Sequence, residues 1–582
     1  MSRKYSAFVA RPDRSAAPLD WVKIGAVATA DAPVSRVCAS VVSVYPKHDS
    51  CACAGHVGAM IRKAAATVTE DMLKRVWEEF DYRLDICRIT RGSHTESLYR
   101  ASPSEMFETI LEKANGRLLQ LGAALIASMS FLSAGMSVSW IVPILPKLLA
   151  ENSHIPMTRD ESSWVVSILS IGCVVGVIPL IFLTNILGRK ALLLLSALPY
   201  SIGWCIIVFA ASVEALYVAR FLFGVSIIIT FTITPMYITE ISEVGIRGFL
   251  SSSTQFFYSI GSLYEYAMGP YVSYNVLGIT SVIFPIAFLL MMCRMPETPY
   301  FLLLKGKCAE AEKSLMKLRG KTDKLYVQEE LTLVKNVVEE SVHLKRAPVH
   351  DLFYKRSNRR AFILILGLVS LQQFCGQLAV VSYTTEIFLN TASSLDANIS
   401  VIILGVIQAI SSVVMSSIVD RTGRKPLLLL STIGLAVSTL VLGIYFYLNS
   451  NTGIDLTYFD WIPIVCLIVY LSLFSIALGV LPFTIMGEIF PPNVKGLASS
   501  SALLLHAGTG VLVTKVFQIM TDDIGADAPF WLFSIYCIVS AFFIARYLPE
   551  TKGKTFSEIY EEFNGDSFPR RVKTGPDEVT KL

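Results

Sequence analysis

From residue 117 onward the chain is a series of apolar runs of nearly equal length, and that spacing leaves few folds open. Six runs cover approximately 118–149, 163–184, 191–211, 216–239, 251–272 and 276–293. A charged interval follows, then six more at approximately 361–389, 399–419, 426–448, 461–487, 497–520 and 529–547. A helix needs about 20 apolar residues to cross the hydrocarbon core of a bilayer. Barrel strands need about 10 and alternate in polarity, so strands are excluded. Composition points the same way. Charged residues are 16% of the 582 and apolar ones 53%, whereas soluble domains carry about 25% charged residues. One protein core cannot hide that much hydrocarbon, so lipid is part of the solvent. The expected fold class is an all-α membrane protein with twelve transmembrane helices in two groups of six. The net charge of +4 gives no reason to expect a nucleic-acid partner.

Lys and Arg set the orientation. The interval 294–360 carries fifteen of them, and Arg189, Lys190, Arg247, Arg421, Arg424, Lys425, Lys495 and Arg546 fall at loops on the same side. The opposite loops 449–460 and 521–529 hold only the acids Asp455, Asp460, Asp522, Asp523 and Asp527. The basic side, with both termini, is expected to be cytoplasmic in a multi-pass protein of the cell membrane. The sequon Asn398-Ile-Ser400 then faces outward as a candidate glycosylation site. Trp164, Trp461 and Trp531 near outer helix ends read as interface anchors.

The expected domains are a cytoplasmic region 1–116, a six-helix bundle 117–293, cytoplasmic linker helices 294–360, a second bundle 361–548 and a cytoplasmic tail 549–582. The first region reads as largely disordered, with one amphipathic helix marked by Leu73, Val76, Trp77, Phe80 and Leu84. Cys51, Cys53 and His56 hint at metal, but one intervening residue is short for a zinc pair. The remaining cysteines do not suggest a disulfide framework. No metal, cofactor or catalytic group is expected.

The two halves repeat. Gly-Arg-Lys stands at 188–190 and again at 423–425. Glu240 precedes Arg247-Gly248 by seven residues, as Glu488 precedes Lys495-Gly496. Pro296-Glu297-Thr298 follows the sixth run and Pro549-Glu550-Thr551 the twelfth. Duplicated bundles of this kind hold a substrate at the repeat interface, near the membrane midplane.

Further motifs complete the pattern: Arg220-Phe221, Pro235 to Glu240, Gln372-Gln373-Phe374-Cys375-Gly376, Asp420 to Lys425, Pro482 to Pro491, and Pro549 to Gly553. In this order the set resembles the sugar porter family of the major facilitator superfamily, over about residues 117–560. Trp140, Pro143 and Ser162-Ser163-Trp164 resemble its arthropod facilitated trehalose transporter branch. The resemblance implies a major facilitator fold and facilitative transport of a small-molecule sugar, trehalose or a hexose, by alternating access. It implies no enzymatic step.

Sugars carry hydroxyls that both donate and accept, and neutral carboxamides meet them without bringing charge. Gln255, Gln372, Gln373 and Gln408 lie within apolar runs, where polar groups usually face the bundle interior. With Tyr383 they match positions at which the family contacts sugar. Adjacent Gln372 and Gln373 point about 100° apart on a regular helix, so both reach one ligand only if it wraps the helix or the helix opens near Gly376. Four positions depart from the family pattern: Leu378 for an asparagine, Phe483 for a tryptophan, His506-Ala507 for an Asn-Trp pair and Ser475 for a glutamate. Ala507 makes room for a disaccharide. His506 reads as a hydroxyl partner, a pH-sensitive element or a packed neutral histidine.

The family's proton-coupled members carry an aspartate on helix 1 near the helix 4 arginine. Here no acid lies between Arg117 and Pro146, so Arg220 lacks that partner and facilitated diffusion is expected. Glu265 is another acid within a run, placed toward the outer end where solvation lowers its cost. The alternatives are a proton-linked carrier using His506 or Glu265, and a sugar sensor that does not transport. The cytoplasmic charges read as a gate, with Arg189, Arg220, Glu240, Arg247 and Glu297 in one half and Asp420, Arg424, Glu488, Lys495 and Glu550 in the other. Asn185 replaces the acid expected before Gly188, and Lys495 replaces an arginine, which predicts a weakened lock on that side.

Overall fold

The computed structural model describes residues 103–550 and 552, apart from 244–245, 321–323, 344–352, 355, 390–395, 453–455 and 491. The amphipathic helix around Trp77 and the Cys51–His56 segment lie outside the described residues. So do the side chains of Asn185, Asp420, Glu488 and Lys495. The described residues from Thr109 onward form one compact unit, and the contacts below lie within it.

The described residues are helical almost throughout, and the helices group into twelve spans. Span 1 is α1 (Pro103–Ser139) continued by α2 (Ile141–Leu149). Spans 2 to 6 are α3 (Arg159–Ile186), α4 (Arg189–Phe209), α5 (Val213–Ile241), α6 (Arg247–Met268) and α7 (Tyr274–Cys293). Three linker helices follow: α8 (Pro299–Leu304), α9 (Cys308–Arg319) and α10 (Lys324–His343). Span 7 is broken into α11 (Arg356–Phe374), α12 (Gln377–Ser382) and α13 (Thr384–Leu389). Spans 8 and 9 are α14 (Ala397–Thr422) and α15 (Arg424–Asn451). Span 10 is α16 (Ile462–Leu473), a π turn (Phe474–Leu478) and α17 (Leu481–Ile489). Spans 11 and 12 are α18 (Pro492–Asp523) and α19 (Ala528–Tyr547).

Eleven described helices are long and apolar enough to cross a membrane. Span 5 falls short because it carries Ser251, Ser252, Ser253, Thr254, Gln255, Ser259 and Ser262. Part of that polarity is turned inward, away from lipid. Ser253 Oγ lies 2.8 Å from Ser128 Oγ of span 1, and Ser262 Oγ donates to Gly135 O at 3.5 Å.

The first half is drawn together at two glycine crossings. Gly172 of span 2 faces Gly224 of span 4, and Gly135 of span 1 faces Gly261 of span 5. A Cβ at any of the four would overlap the neighbouring backbone. Small residues let membrane helices approach closely where no hydrophobic force distinguishes protein from lipid. The halves meet along span 2 on span 11 and span 5 on span 8.

Each half closes its basic end with the same device. Gly188 (φ 92°, ψ 170°) and Gly423 (φ 96°, ψ 163°) start spans 3 and 9 in a conformation essentially reserved for glycine. Glycine has no side chain to cap the helix, so a distant glutamate does so. Glu297 accepts from the N–H groups of Arg189 at 3.2 Å and Lys190 at 3.1 Å. Glu550 accepts from those of Arg424 at 3.0 Å and Lys425 at 3.1 Å. The lysines run the other way: Lys190 Nζ donates to Cys293 O at 2.7 Å, and Lys425 Nζ to Ala545 O at 2.8 Å. An anion thus sits at a helix start and a cation at a helix end, as the backbone dipoles favour. Below the first half, Arg319 is buried, donating to Ile241 O at 2.9 Å and pairing with Glu330 at 2.6 Å.

Gly188→Ala and Gly423→Ala are each expected to cost about 1–3 kcal/mol. The added Cβ would stand 2.5 Å from Glu297 Oε2 or 2.9 Å from Glu550 Oε2. Thermal unfolding of the detergent-solubilised chain checks this, and unchanged midpoints would contradict it. Burial works against the charge of Glu550, but the N–H groups of Lys552, Arg424 and Lys425 outweigh it and hold the carboxyl below its ordinary range. Its stabilisation is therefore present at neutral pH and is lost as pH falls through the lowered value. The stability gap between the parent and Glu550→Gln is expected to narrow below pH 4.5.

Candidate functional site

Spans 7 and 10 both lose regular helix near mid-membrane, and each repairs the other. At Gly376 (φ 89°) span 7 opens, and the hydroxyl of Tyr470 on span 10 donates to Cys375 O at 2.9 Å. At Gly479, past the π turn, span 10 opens, and Gln372 Nε2 on span 7 donates to its carbonyl at 2.9 Å. Unpaired backbone groups in hydrocarbon cost several kcal/mol, so such breaks survive only where side chains or a cavity satisfy them. π turns of this kind occur often at functional sites.

This opening gathers several of the candidate residues. Gln373 Nε2 donates to His506 Nε2 of span 11 at 2.8 Å. The ring of Phe483 on span 10 meets that imidazole edge-on, 5.5 Å between centroids. Gln372 Oε1, Gln373 Oε1 and Ser475 Oγ are buried and have no hydrogen-bond partner among the described residues. Buried polar atoms are nearly always paired, and these three acceptors at the two helix breaks are available to a polar ligand. Gly510 bounds it on span 11: a Cβ there would stand 3.1 Å from Ser170 Oγ of span 2 and 3.6 Å from Gln373 Oε1. Ser170 of the first half and Gln373 of the second thus both border Gly510. Sequence reasoning missed Ser170 and took Ser475 only as a departure from the family pattern.

Other candidates stand apart. Tyr383 is buried against Phe517, with ring centroids 5.2 Å apart, and its hydroxyl has no partner among the described residues. Gln408 is buried in span 8, and Gln255 is half-buried in span 5. No described contact joins either to Gln373. Asn398 lies half-buried in the first turn of span 8, its N–H donating to Asp396 Oδ1 at 2.9 Å.

Arg220 is buried and held by carbonyls instead of an acid, donating to Val165 O at 3.0 Å and Ser137 O at 2.5 Å. The expectation for Glu265 needs correction: it is 0% exposed, so solvent does not lower its cost. Ser281 Oγ of span 6 donates to its Oε1 at 2.8 Å.

The bonds described for Arg189, Glu240, Glu297 and Glu550 at the basic end lie within their own halves. Arg189 Nη2 pairs with Glu240 at 3.0 Å, and Thr298 Oγ1 donates to the second oxygen of Glu240 at 2.6 Å. Arg247 is exposed and, among the described residues, donates to Ser242 O at 3.5 Å. Described bonds that join the halves lie at the opposite end: Thr385 Oγ1 of span 7 donates to Val142 O of span 1 at 2.9 Å, and others lie between spans 2 and 11. There Lys515 Nζ donates to Asp160 Oδ1 at 3.1 Å and to Ser163 Oγ at 2.5 Å. Arg159 Nη1 donates to Asp522 Oδ1 at 3.1 Å, and the Ser167 and Thr514 hydroxyls lie 3.0 Å apart.

Comparison with known proteins fits this architecture. The chain matches the family described as Sugar (and other) transporter over residues 125–563. It is 34% identical over 454 residues to a facilitated trehalose transporter, Tret1, of Bombyx mori, covering 78% of this chain and 88% of that one. Its identity to the Tret1 of Apis mellifera ligustica is also 34%, over 77% of this chain and 88% of that one. Among solved structures it resembles the major facilitator superfamily proton:xylose symporter XylE bound to 6-bromo-6-deoxy-D-glucose. That match has a TM-score of 0.64 at 22% identity and covers 77% of this chain and 100% of that one. An inward-open XylE from E. coli matches with a TM-score of 0.61 at 22% identity, over 75% and 98%. At that identity the likeness speaks for the fold, twelve helices in the major facilitator arrangement. The family match and the relatives span the same residues that carry the repeat and the opened helices, and the chain belongs to the sugar (and other) transporter family.

Proposed function

We propose that this chain carries a neutral sugar, trehalose or a hexose, down its gradient across the cell membrane by alternating access, with the basic end and both termini cytoplasmic. The observation that carries this reading is the group of buried, unpartnered oxygens of Gln372, Gln373 and Ser475 at the opening of spans 7 and 10. Carboxamide and hydroxyl groups suit sugar hydroxyls and bring no charge. Phe483, packed on His506, offers an apolar face to sugar C–H groups. Relatives named as facilitated trehalose transporters support trehalose as the cargo. Carbonyl ligation of Arg220, in place of a carboxylate pair, supports transport without proton coupling. The distribution of Lys and Arg supports the orientation, which puts Asn398 outside as a candidate for glycosylation.

In this reading Gln373 and His506 bind the sugar. Gln372 both binds it and seals the Gly479 carbonyl. The Arg189–Glu240 and Glu550 clusters hold the basic ends of the halves as units that rock against each other.

Zero-trans uptake of labelled trehalose and glucose in oocytes tests this. Saturable uptake that is equal at pH 5.5 and pH 7.5 is expected. Gln373→Ala should raise the half-saturation concentration about tenfold, the worth of one or two hydrogen bonds to a ligand. Absence of uptake by chains proven to be at the surface would sink the carrier reading. Uptake that follows an imposed proton gradient would sink the uncoupled one. Gly510→Ala narrows the space between Gln373 and Ser170, so it is expected to depress trehalose uptake more than glucose uptake. Equal effects on both sugars would place the disaccharide elsewhere.

A further inference from the structure

The contacts between spans 2 and 11 form a graded series running from the acidic face of the membrane down to the candidate site. Outermost, Arg159 of the first half reaches Asp522 of the second at 3.1 Å, and Gln518 Nε2 donates to the other Asp522 oxygen at 2.7 Å. Next, Lys515 of the second half reaches Asp160 of the first at 3.1 Å and Ser163 Oγ at 2.5 Å. Its ammonium also lies 4.0 Å from the centre of the Trp164 ring. Below that come the Ser167 and Thr514 hydroxyls, 3.0 Å apart. Deepest are Ser170 and Gly510, against Gln373.

Two features separate this seam from ordinary helix packing. The ion pairs are exchanged, each half giving one cation and one anion, and Glu386 of span 7 adds a further acid facing Arg159 and Asp522. The lips beneath the pairs are hydroxyls and a glycine, so opening them exposes groups that water solvates readily instead of hydrocarbon. A Lys515 ammonium over an indole face gains further attraction in a partly desolvated setting.

We propose that this series is the gate at the acidic face, and that the Lys515–Asp160 and Arg159–Asp522 pairs clasp the carrier in the state closed to that side. The proposal rests on the alternating-access reading. It assigns Trp164 a second role, as a lid on Lys515. The clasp sets the balance between states without touching the sugar. Weakening it raises the outward-open population and leaves binding at Gln373 intact.

Ser170 is buried beneath the clasp and serves as a reporter. The chain carrying Ser170→Cys, expressed in intact cells, is exposed to a membrane-impermeant maleimide without sugar, against the parent chain as background. Labelling is expected to be slow. It is expected to rise about two- to fivefold in Lys515→Gln, the range that exposed ion pairs support. The double exchange Asp160→Lys with Lys515→Asp should restore slow labelling. Arg159→Gln, at an exposed residue, gives the same test where Lys515→Gln fails to reach the surface. Labelling unchanged in both Lys515→Gln and Arg159→Gln, or fast labelling in the exchanged pair, would overturn the gate. Because no sugar is present, the gate can fail while uptake survives. The carrier reading can likewise fail while labelling behaves as stated.

Discussion

In hydrocarbon a peptide group without a partner costs several kcal/mol, and the candidate site exists because two such costs cancel against each other. Spans 7 and 10 break at Gly376 and Gly479, and each lends a side chain to the other's freed carbonyl. Neither break is tenable alone. The polar groups of the candidate site therefore come from where these helices face each other in the second half, with Ser170 of the first half bordering them at Gly510. Gln372 binds structure with its nitrogen and leaves its oxygen free. The same residue thus serves the fold and keeps an acceptor for a ligand.

The contacts within each half differ in kind from those between halves. Within the first half, glycine crossings bring backbones together, and Arg189, Glu240, Glu297 and Thr298 bond in one cluster. Between the halves at the acidic face, the joints are hydroxyl pairs and partly exposed ion pairs. Interhelical hydrogen bonds in membranes average about 0.6 kcal/mol, and exposed ion pairs about 0–1 kcal/mol. A few such joints add up to an equilibrium that thermal energy and a ligand shift readily, while each half keeps its form.

Much of this was legible in the sequence. Twelve apolar runs of near-constant length mark twelve spans, because bilayer thickness dictates helix length. The polar span 5 is found by count and position, though its hydropathy is low. Two adjacent glutamines that a regular helix would point apart left either a ligand wrapped round the helix or an opening near Gly376, and the structure has the opening. What stayed hidden depends on which helices lie together. The partners Lys515 and Asp160 are 355 residues apart, and nothing local in either marks the pairing. The π turn at Phe474–Leu478 has no local composition that distinguishes it from α-helix. Glu265 was misplaced for the same reason, since depth along a helix says nothing of which face is covered.

The repeated helix caps and the unrepeated openings together suggest a division of labour between the two copies. Glu297 and Glu550 perform the same task at Gly188 and Gly423, so each copy keeps what any six-helix unit needs to close its ends. Span 4, the counterpart of span 10, runs unbroken from Val213 to Ile241. The first copy thus keeps a continuous helix where the second is opened. A duplicated molecule of this kind is symmetric in its scaffold and lopsided in its chemistry, one copy serving as the wall against which the other works.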